Sequence, residues 1–138
     1  MPELVRLSIS LEEPLCEKLD KMVKTSGYSN RSEYIRDMIR DRMVSEQWEK
    51  SEEVLGTITL IYNHHQRELS EKITDIQHQH HETVLASTHV HLSHEICAEM
   101  IMVKGEAGNI AKLADTLRQQ RGVLHSGLTM SSSGQELK

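Results

Sequence analysis

Residues 4–11, LVRLSISL, alternate apolar and polar side chains: Val5, Leu7, Ile9 and Leu11 fall on one side, Arg6, Ser8 and Ser10 on the other. A period of two predicts a half-buried strand. The period then lengthens. Pro14 suits a first helical turn, and Leu15, Leu19, Met22 and Val23 recur at helical spacing until Gly27. In SNRSEYIRDMIRDRMVSEQW, Asn30 can cap a second helix with Glu33 three residues on, and Ile35, Met38, Ile39 and Arg42 or Met43 lie on its inward side. A unit of strand, helix, turn and helix cannot satisfy its single strand's backbone and encloses little core of its own. Two copies that pair their strands into an antiparallel ribbon resolve both problems, so an intertwined dimer is expected.

VSEQWEKSEEVLG is polar and acidic and reads as a linker region. Beyond it TITLIY predicts a strand, HHQRELSEKITDIQ a helix with Leu69, Ile73 and Ile76 as its stripe, and ETVLASTHVHL and EICAEMIMV two more strands. AGNIAKLADTLRQQR predicts a helix with Ile110, Leu113, Ala114 and Leu117 inward, and GVLHSGLTM a last strand. The order βαββαβ is that of a ferredoxin-like domain, making the chain α+β. The tail SSSGQELK is expected to be disordered.

Composition narrows the chemistry. Aromatic residues are 3% of the chain, with no Phe, which disfavours binding of single-stranded nucleic acid by stacking. The net charge of −5 offers no global attraction to DNA, so any DNA-binding argument has to be local. No apolar run is long enough to span a bilayer and the N-terminus has no signal-peptide pattern, so a cytoplasmic protein without membrane contact is expected. Cys16 and Cys97 are too few for a disulfide framework.

One of those cysteines lies in STHVHLSHEIC. With Ser93-His94-Glu95 as a three-residue hairpin loop, His91 faces Cys97 and His89 faces Glu99. Opposed residues share a side of the sheet, so His89, His91, Cys97 and Glu99 form one patch. The other side would carry Val84, Ala86, Thr88, Val90 and Leu92 as the core face. Two imidazoles and a thiol suit Zn²⁺, Ni²⁺, Cu²⁺ or Co²⁺ better than Mg²⁺ or Ca²⁺. Glu99 suits an acceptor for an imidazole N–H. A fourth ligand could be His78, His80 or His81 of QHQHHE, from the same chain or another. The bland alternative is a set of solvated strand residues or a subunit contact.

These residues resemble a known family, the nickel-responsive transcriptional regulators of the NikR type: a ribbon-helix-helix DNA-binding domain followed by an ACT-type regulatory domain. The resemblance rests on GYSNRSEYIRDMIR, YNHHQRELSEKITDIQHQHH, STHVHLSHEIC and VKGEAGNI, and on H-x-H-x5-C preceded by Q-H-x-H-H. It implies domains at 1–48 (DNA-binding) and 55–131 (metal-binding and tetramerisation), a linker at 49–54 and a tail at 132–138. It implies one Ni²⁺ per subunit, held by His89, His91 and Cys97 of one subunit and His78 of another in a square-planar site, with Tyr62, Gln77 and Glu99 as supporting groups. Arg6, Ser8 and Ser10 match the residues by which a ribbon reads the major groove, and Asn30, Arg31 and Ser32 suit a backbone phosphate. Family members more often carry threonine where Ser8 and Ser10 stand. Glu33 and Asp37 match a second site, for K⁺ or another cation.

The resemblance implies a nickel-dependent repressor of nickel uptake genes, a homotetramer built as a dimer of dimers on palindromic double-stranded DNA. The alternatives are a metal-independent or amino-acid-sensing ribbon-helix-helix regulator, and a metalloenzyme. Four protein ligands with no evident base argue against an enzyme, which would need an open coordination position.

Overall fold

The structure is a computed structural model and describes residues 2–138. It divides into two compact units, one ending at Asp41 and one spanning Arg42–Lys138.

In the first unit α1 covers Glu13–Thr25, and α2, Arg31–Glu49, begins there. Pro14 stands in the first turn of α1. The Asn30 side chain accepts the Glu33 N–H at 3.0 Å, the expected cap of α2. The strand expected over residues 4–11 is not formed. A strand exists only by pairing, and the described residues of one chain offer this segment no second strand. The whole segment is exposed, its apolar set included: Val5 and Leu7 are 80% and 82% exposed, and Leu11 is 38% exposed. The inward stripes fare likewise, because Val23 is buried but Leu15, Met22, Met38 and Ile39 are not. Leu7, Ile9, Leu11, Leu15, Leu19 and Ile35 instead line an open apolar cleft of about 770 Å³.

The second unit is built on a four-stranded antiparallel sheet. Its strands are β1 (Glu53–Asn63), β2 (Val84–His91), β3 (Ile96–Glu106) and β4 (Val123–Met130), in spatial order β2-β3-β1-β4. With α3 (Leu69–Gln79) and α4 (Ala107–Arg118) the order is the expected βαββαβ. Leu69, Ile73 and Ile76 of α3 and Ile110, Leu113, Ala114 and Leu117 of α4 all join one core with Val54, Ile58, Leu60, Ile101 and Val103 of the central strands.

That core lies against the opposite face of β2 from the one expected. On β3 the buried run is Cys97, Glu99, Ile101 and Val103, which pair with His91, His89, Ser87 and Val84. The histidine patch therefore sits on the helix-covered side, near one end of the sheet. Val90 and Leu92 face the open side, 38% and 59% exposed, together with Met102 at 46%. The physical reason is position: β2 is an edge strand, and the central strands decide which face the helices cover. A register shift between Val84 and Ala86 returns only Val84 to the core side.

The polar stretch expected as a linker is mostly regular structure. Helix α2 continues to Glu49 and β1 starts at Glu53. The intervening turn has a packing role: Ser51, at φ 54°, accepts the Gly108 N–H on its Oγ at 3.0 Å, and the Glu52 carbonyl accepts the Ala107 N–H at 3.0 Å, so the turn caps α4. Trp48 packs on the core and donates from Nε1 to the Ser131 carbonyl at 2.9 Å. The tail, expected to be disordered, contains a short 3-10 turn at Gln135–Leu137.

Candidate metal centre and nucleic-acid surface

The hairpin register is the expected one, with His91 opposite Cys97 and His89 opposite Glu99. Ser93 shapes the loop: its Oγ accepts the N–H of Glu95 at 3.3 Å and of Ile96 at 3.1 Å. Cys97 Sγ lies 3.2 Å from His91 Nδ1, and the His89 and His91 rings are 5.1 Å apart. Both histidines are exposed while Cys97 is fully buried, so the thiol forms the floor of the patch. Burial, and secondarily the Glu99 charge, push the Cys97 thiol above its ordinary pKa.

A fourth donor comes from His64, whose sequence context predicts a helix. The structure starts that helix five residues later, because Asn63 turns the chain. Its side chain accepts the His65 N–H at 2.9 Å and its carbonyl accepts the Gln66 N–H at 3.2 Å. The His64 N–H then donates to the Glu95 carbonyl at 2.6 Å, tying this turn to the hairpin. One nitrogen from each of His64, His89 and His91 and the sulfur of Cys97 all lie within 4.8 Å of one another. Partial desolvation and the neighbouring imidazoles lower the pKa of His64. His78 lies exposed near the C-terminal end of α3 and is not in this group. An Asn placed directly after a strand was the available signal for His64.

Beneath the patch is a buried polar network. Glu99 accepts from Gln77 Nε2 in a short hydrogen bond and from the Tyr62 hydroxyl at 3.4 Å. His89 Nδ1 is 3.4 Å from the Tyr62 hydroxyl and 3.8 Å from Glu99 Oε1. Burial, followed by the Glu99 charge, pushes the Tyr62 pKa up to about 12, so the hydroxyl keeps its proton. The three expected supporting residues thus form one network, with Tyr62 and Glu99 beside His89 Nδ1 and Gln77 bonded to Glu99.

The expected DNA-contacting residues belong to the first unit. Arg6, Ser8, Ser10, Asn30, Arg31 and Ser32 are all exposed. Arg31 is already engaged: Nε and Nη2 reach the two Asp20 oxygens at 2.6 and 2.8 Å, and this guanidinium lowers the Asp20 pKa. Its role in one chain is to clamp α1 to α2, and it reaches a phosphate only by leaving or sharing Asp20. Glu33 and Asp37 border a cleft of about 220 Å³ with Tyr28, Arg36 and Arg40. Glu33 accepts from Ser29 Oγ at 3.0 Å, and Asp37 accepts from the Tyr28 hydroxyl and from Arg40 Nη1 at 3.3 Å.

Comparison with known proteins is consistent across both units. A family model described as the NikR C-terminal nickel-binding domain matches residues 55–131, and one described as a ribbon-helix-helix protein of the copG family matches residues 5–44. A Desulfotalea psychrophila protein named "Putative nickel-responsive regulator" is 47% identical over 134 residues, covering 97% of this chain and 98% of its own length. Proteins of the same name from Geotalea uraniireducens (46% identical, 99% of each chain) and Solibacter usitatus (43% identical, 100% of each chain) match end to end. Among solved structures, an uncharacterized Thermotoga maritima protein superposes with a TM-score of 0.52 at 16% identity, over 57% of this chain and 98% of that one, a likeness of fold alone. Since the nickel-domain model spans more than half of the residues and these relatives align over the full length, the chain belongs to the NikR family, in which a ribbon-helix-helix domain precedes a C-terminal nickel-binding domain.

Proposed function

We propose that this chain is a cytoplasmic, nickel-dependent transcriptional repressor of nickel uptake genes, in which nickel bound by the C-terminal unit promotes operator binding by the N-terminal one. The observation that supports this reading most is the convergence of three imidazoles and a thiol within 4.8 Å. Such a donor set fits Ni²⁺ and disfavours hard cations. His89, His91 and Cys97 are the common part of the site. The fourth donor is the partner subunit's His78 in the assembled protein, by family resemblance; His64 supplies a nitrogen from the same chain before assembly. No helix among the described residues is long and apolar enough to cross a membrane.

The assembly follows from what one chain leaves uncovered. The apolar cleft of the first unit suits a second copy, which would also supply the missing strand and complete a ribbon carrying Arg6, Ser8 and Ser10. The open face of the sheet, with Val90 and Met102 half-exposed, suits association of the C-terminal units into a homotetramer, a dimer of dimers on a palindromic site. Nickel then acts by linkage: it favours DNA binding only as far as it prefers the DNA-competent arrangement. At Glu33 and Asp37, a K⁺ ion would have to compete with Arg40 for Asp37.

The test is operator binding titrated against Ni²⁺, Co²⁺, Cu²⁺ and Zn²⁺, with sulfur-to-metal charge-transfer absorption as the site readout. Cys97→Ala is expected to abolish that absorption and the metal dependence together. Mixing His78→Ala chains with Cys97→Ala chains should restore some sites in hybrid tetramers; none would restrict the four ligands to one chain, with His64 as the fourth. Operator affinity unchanged on metal removal would instead support a metal-independent or amino-acid-sensing regulator.

A further inference from the structure

The two units are joined inside a helix. The chain crosses from one to the other once, between Asp41 and Arg42, and both residues lie within α2. A flexible linker would let each unit turn without the other. Helix α2 contains no Pro or Gly, the usual causes of a kink. A change at the metal centre can therefore reach the first unit along α2, but only if the last turns of α2 follow the sheet.

One side chain ties those turns to the sheet. Trp48 packs against the core of the second unit and donates from Nε1 to the Ser131 carbonyl at 2.9 Å. Ser131 is itself bonded to β1, its N–H donating to the Leu55 carbonyl at 2.8 Å. The indole also lies against Gly56 of β1, where a Cβ would stand 3.1 Å from Cη2 and 3.3 Å from Cζ2, closer than ordinary van der Waals contact. The absent side chain of Gly56 thus makes the seat for the ring. Gly56 belongs to a central strand and pairs with Val103 on β3 and Met130 on β4. Towards its other end the same strand places Leu60 opposite Glu99 and Tyr62 opposite Cys97. One strand therefore runs from the Trp48 seat to the metal centre. We propose that Trp48 is the positioning residue that couples nickel binding to operator binding, by fixing the C-terminal end of α2 to the strand that supports the metal centre. The coupling rests on the nickel-dependent DNA binding proposed above.

The experiment uses the full-length protein and a DNA duplex selected from random sequences by the nickel-loaded wild type. Affinity for that duplex is measured by fluorescence anisotropy with nickel and in chelator, and nickel affinity is measured with and without the duplex. By linkage the two ratios are equal, and such couplings are typically about 5–150-fold. Trp48→Ala and Trp48→Phe should each cut both ratios about fivefold or more, since neither side chain can donate to Ser131 or reach Gly56 as the indole does. Nickel affinity without DNA and the sulfur-to-metal absorption should stay at the wild-type level, because no donor atom of the metal centre is altered. The Phe variant keeps an apolar ring on the core, so it decides the matter if the Ala variant fails to fold. Wild-type ratios in the folded variants overturn the proposal and leave Trp48 a residue that only fills space. Loss of the nickel absorption in Trp48→Phe also overturns it, because Trp48 would then build the metal centre rather than link it to α2. A wild type whose DNA affinity nickel does not change removes the coupling and the nickel-dependent reading together.

Discussion

Glu99 offers the sharpest test of how the fold supports the metal centre. It is 7% exposed, and its carboxylate receives Gln77 Nε2 and the Tyr62 hydroxyl while facing His89 Nδ1 at 3.8 Å. Glu99→Leu keeps the side chain's bulk but strands the buried Gln77 Nε2 and leaves the Tyr62 hydroxyl only His89 Nδ1 at 3.4 Å. An unsatisfied buried group costs about 1–3 kcal/mol, so the expected loss of stability is of that size. Tyr62 is 1% exposed and Gln77 is 8% exposed, which leaves neither donor an easy route to solvent. Glu99→Gln retains an acceptor and removes the charge, so its stability should change by less than about 1.5 kcal/mol. Glu99→Leu removes the carboxylate that faces His89 Nδ1 and leaves only the Tyr62 hydroxyl beside it, and loss of such an orienting partner typically lowers metal affinity about 10–100-fold; Glu99→Gln keeps an acceptor there and should change affinity less. Urea unfolding of the metal-free protein measures the first effect, and nickel competition against a chelator of known affinity measures the second. The reasoning fails if Glu99→Leu unfolds at the wild-type urea midpoint, or if it changes nickel affinity by no more than about twofold, against the 10–100-fold expected.

Other perturbations examine different parts of the structure. Gly122 has φ +100°, and a Cβ there would lie 2.5 Å from Gln66 Cγ and 2.9 Å from Leu69 Cδ2. Gly122→Ala should therefore cost about 1–3 kcal/mol in thermal or urea unfolding and disturb the His64 turn; a stability within 0.5 kcal/mol or so of wild type would contradict that packing. Arg6→Ala should lose about 1–3 kcal/mol of preference for operator over random DNA in gel-shift titrations, with nickel affinity unchanged. Equal discrimination by the variant would mean that Arg6 does not read bases. Placing a charge on the open sheet face, as in Met102→Asp, should lower the oligomer mass in light scattering while preserving the hairpin's nickel absorption within whatever assembly remains. A tetramer of unaltered concentration dependence would exclude that face as an interface.

The sequence by itself determined what depends on period and local pairing. Alternation on both sides of Ser93-His94-Glu95 sets the register, and the register alone puts His89 and His91 on the same side as Cys97 and Glu99. Helical spacing likewise sets the stripes of α3 and α4, since a period of 3.6 leaves one side to bury. The N-terminal alternation was equally legible, but one chain has no partner to turn it into a strand. Only the tertiary structure decided which face of β2 meets the helices, because an edge strand with apolar residues on one side and histidines on the other is compatible with either until β1 and β3 set the covered face. It also decided that His64 meets the hairpin, through a side-chain-capped turn at Asn63 and a hydrogen bond to Glu95, 31 residues further along the chain. Arg31 meets Asp20, and Gln47 is left buried without a partner, for the same reason: contacts between distant segments follow from how elements pack, and no period in the chain encodes them.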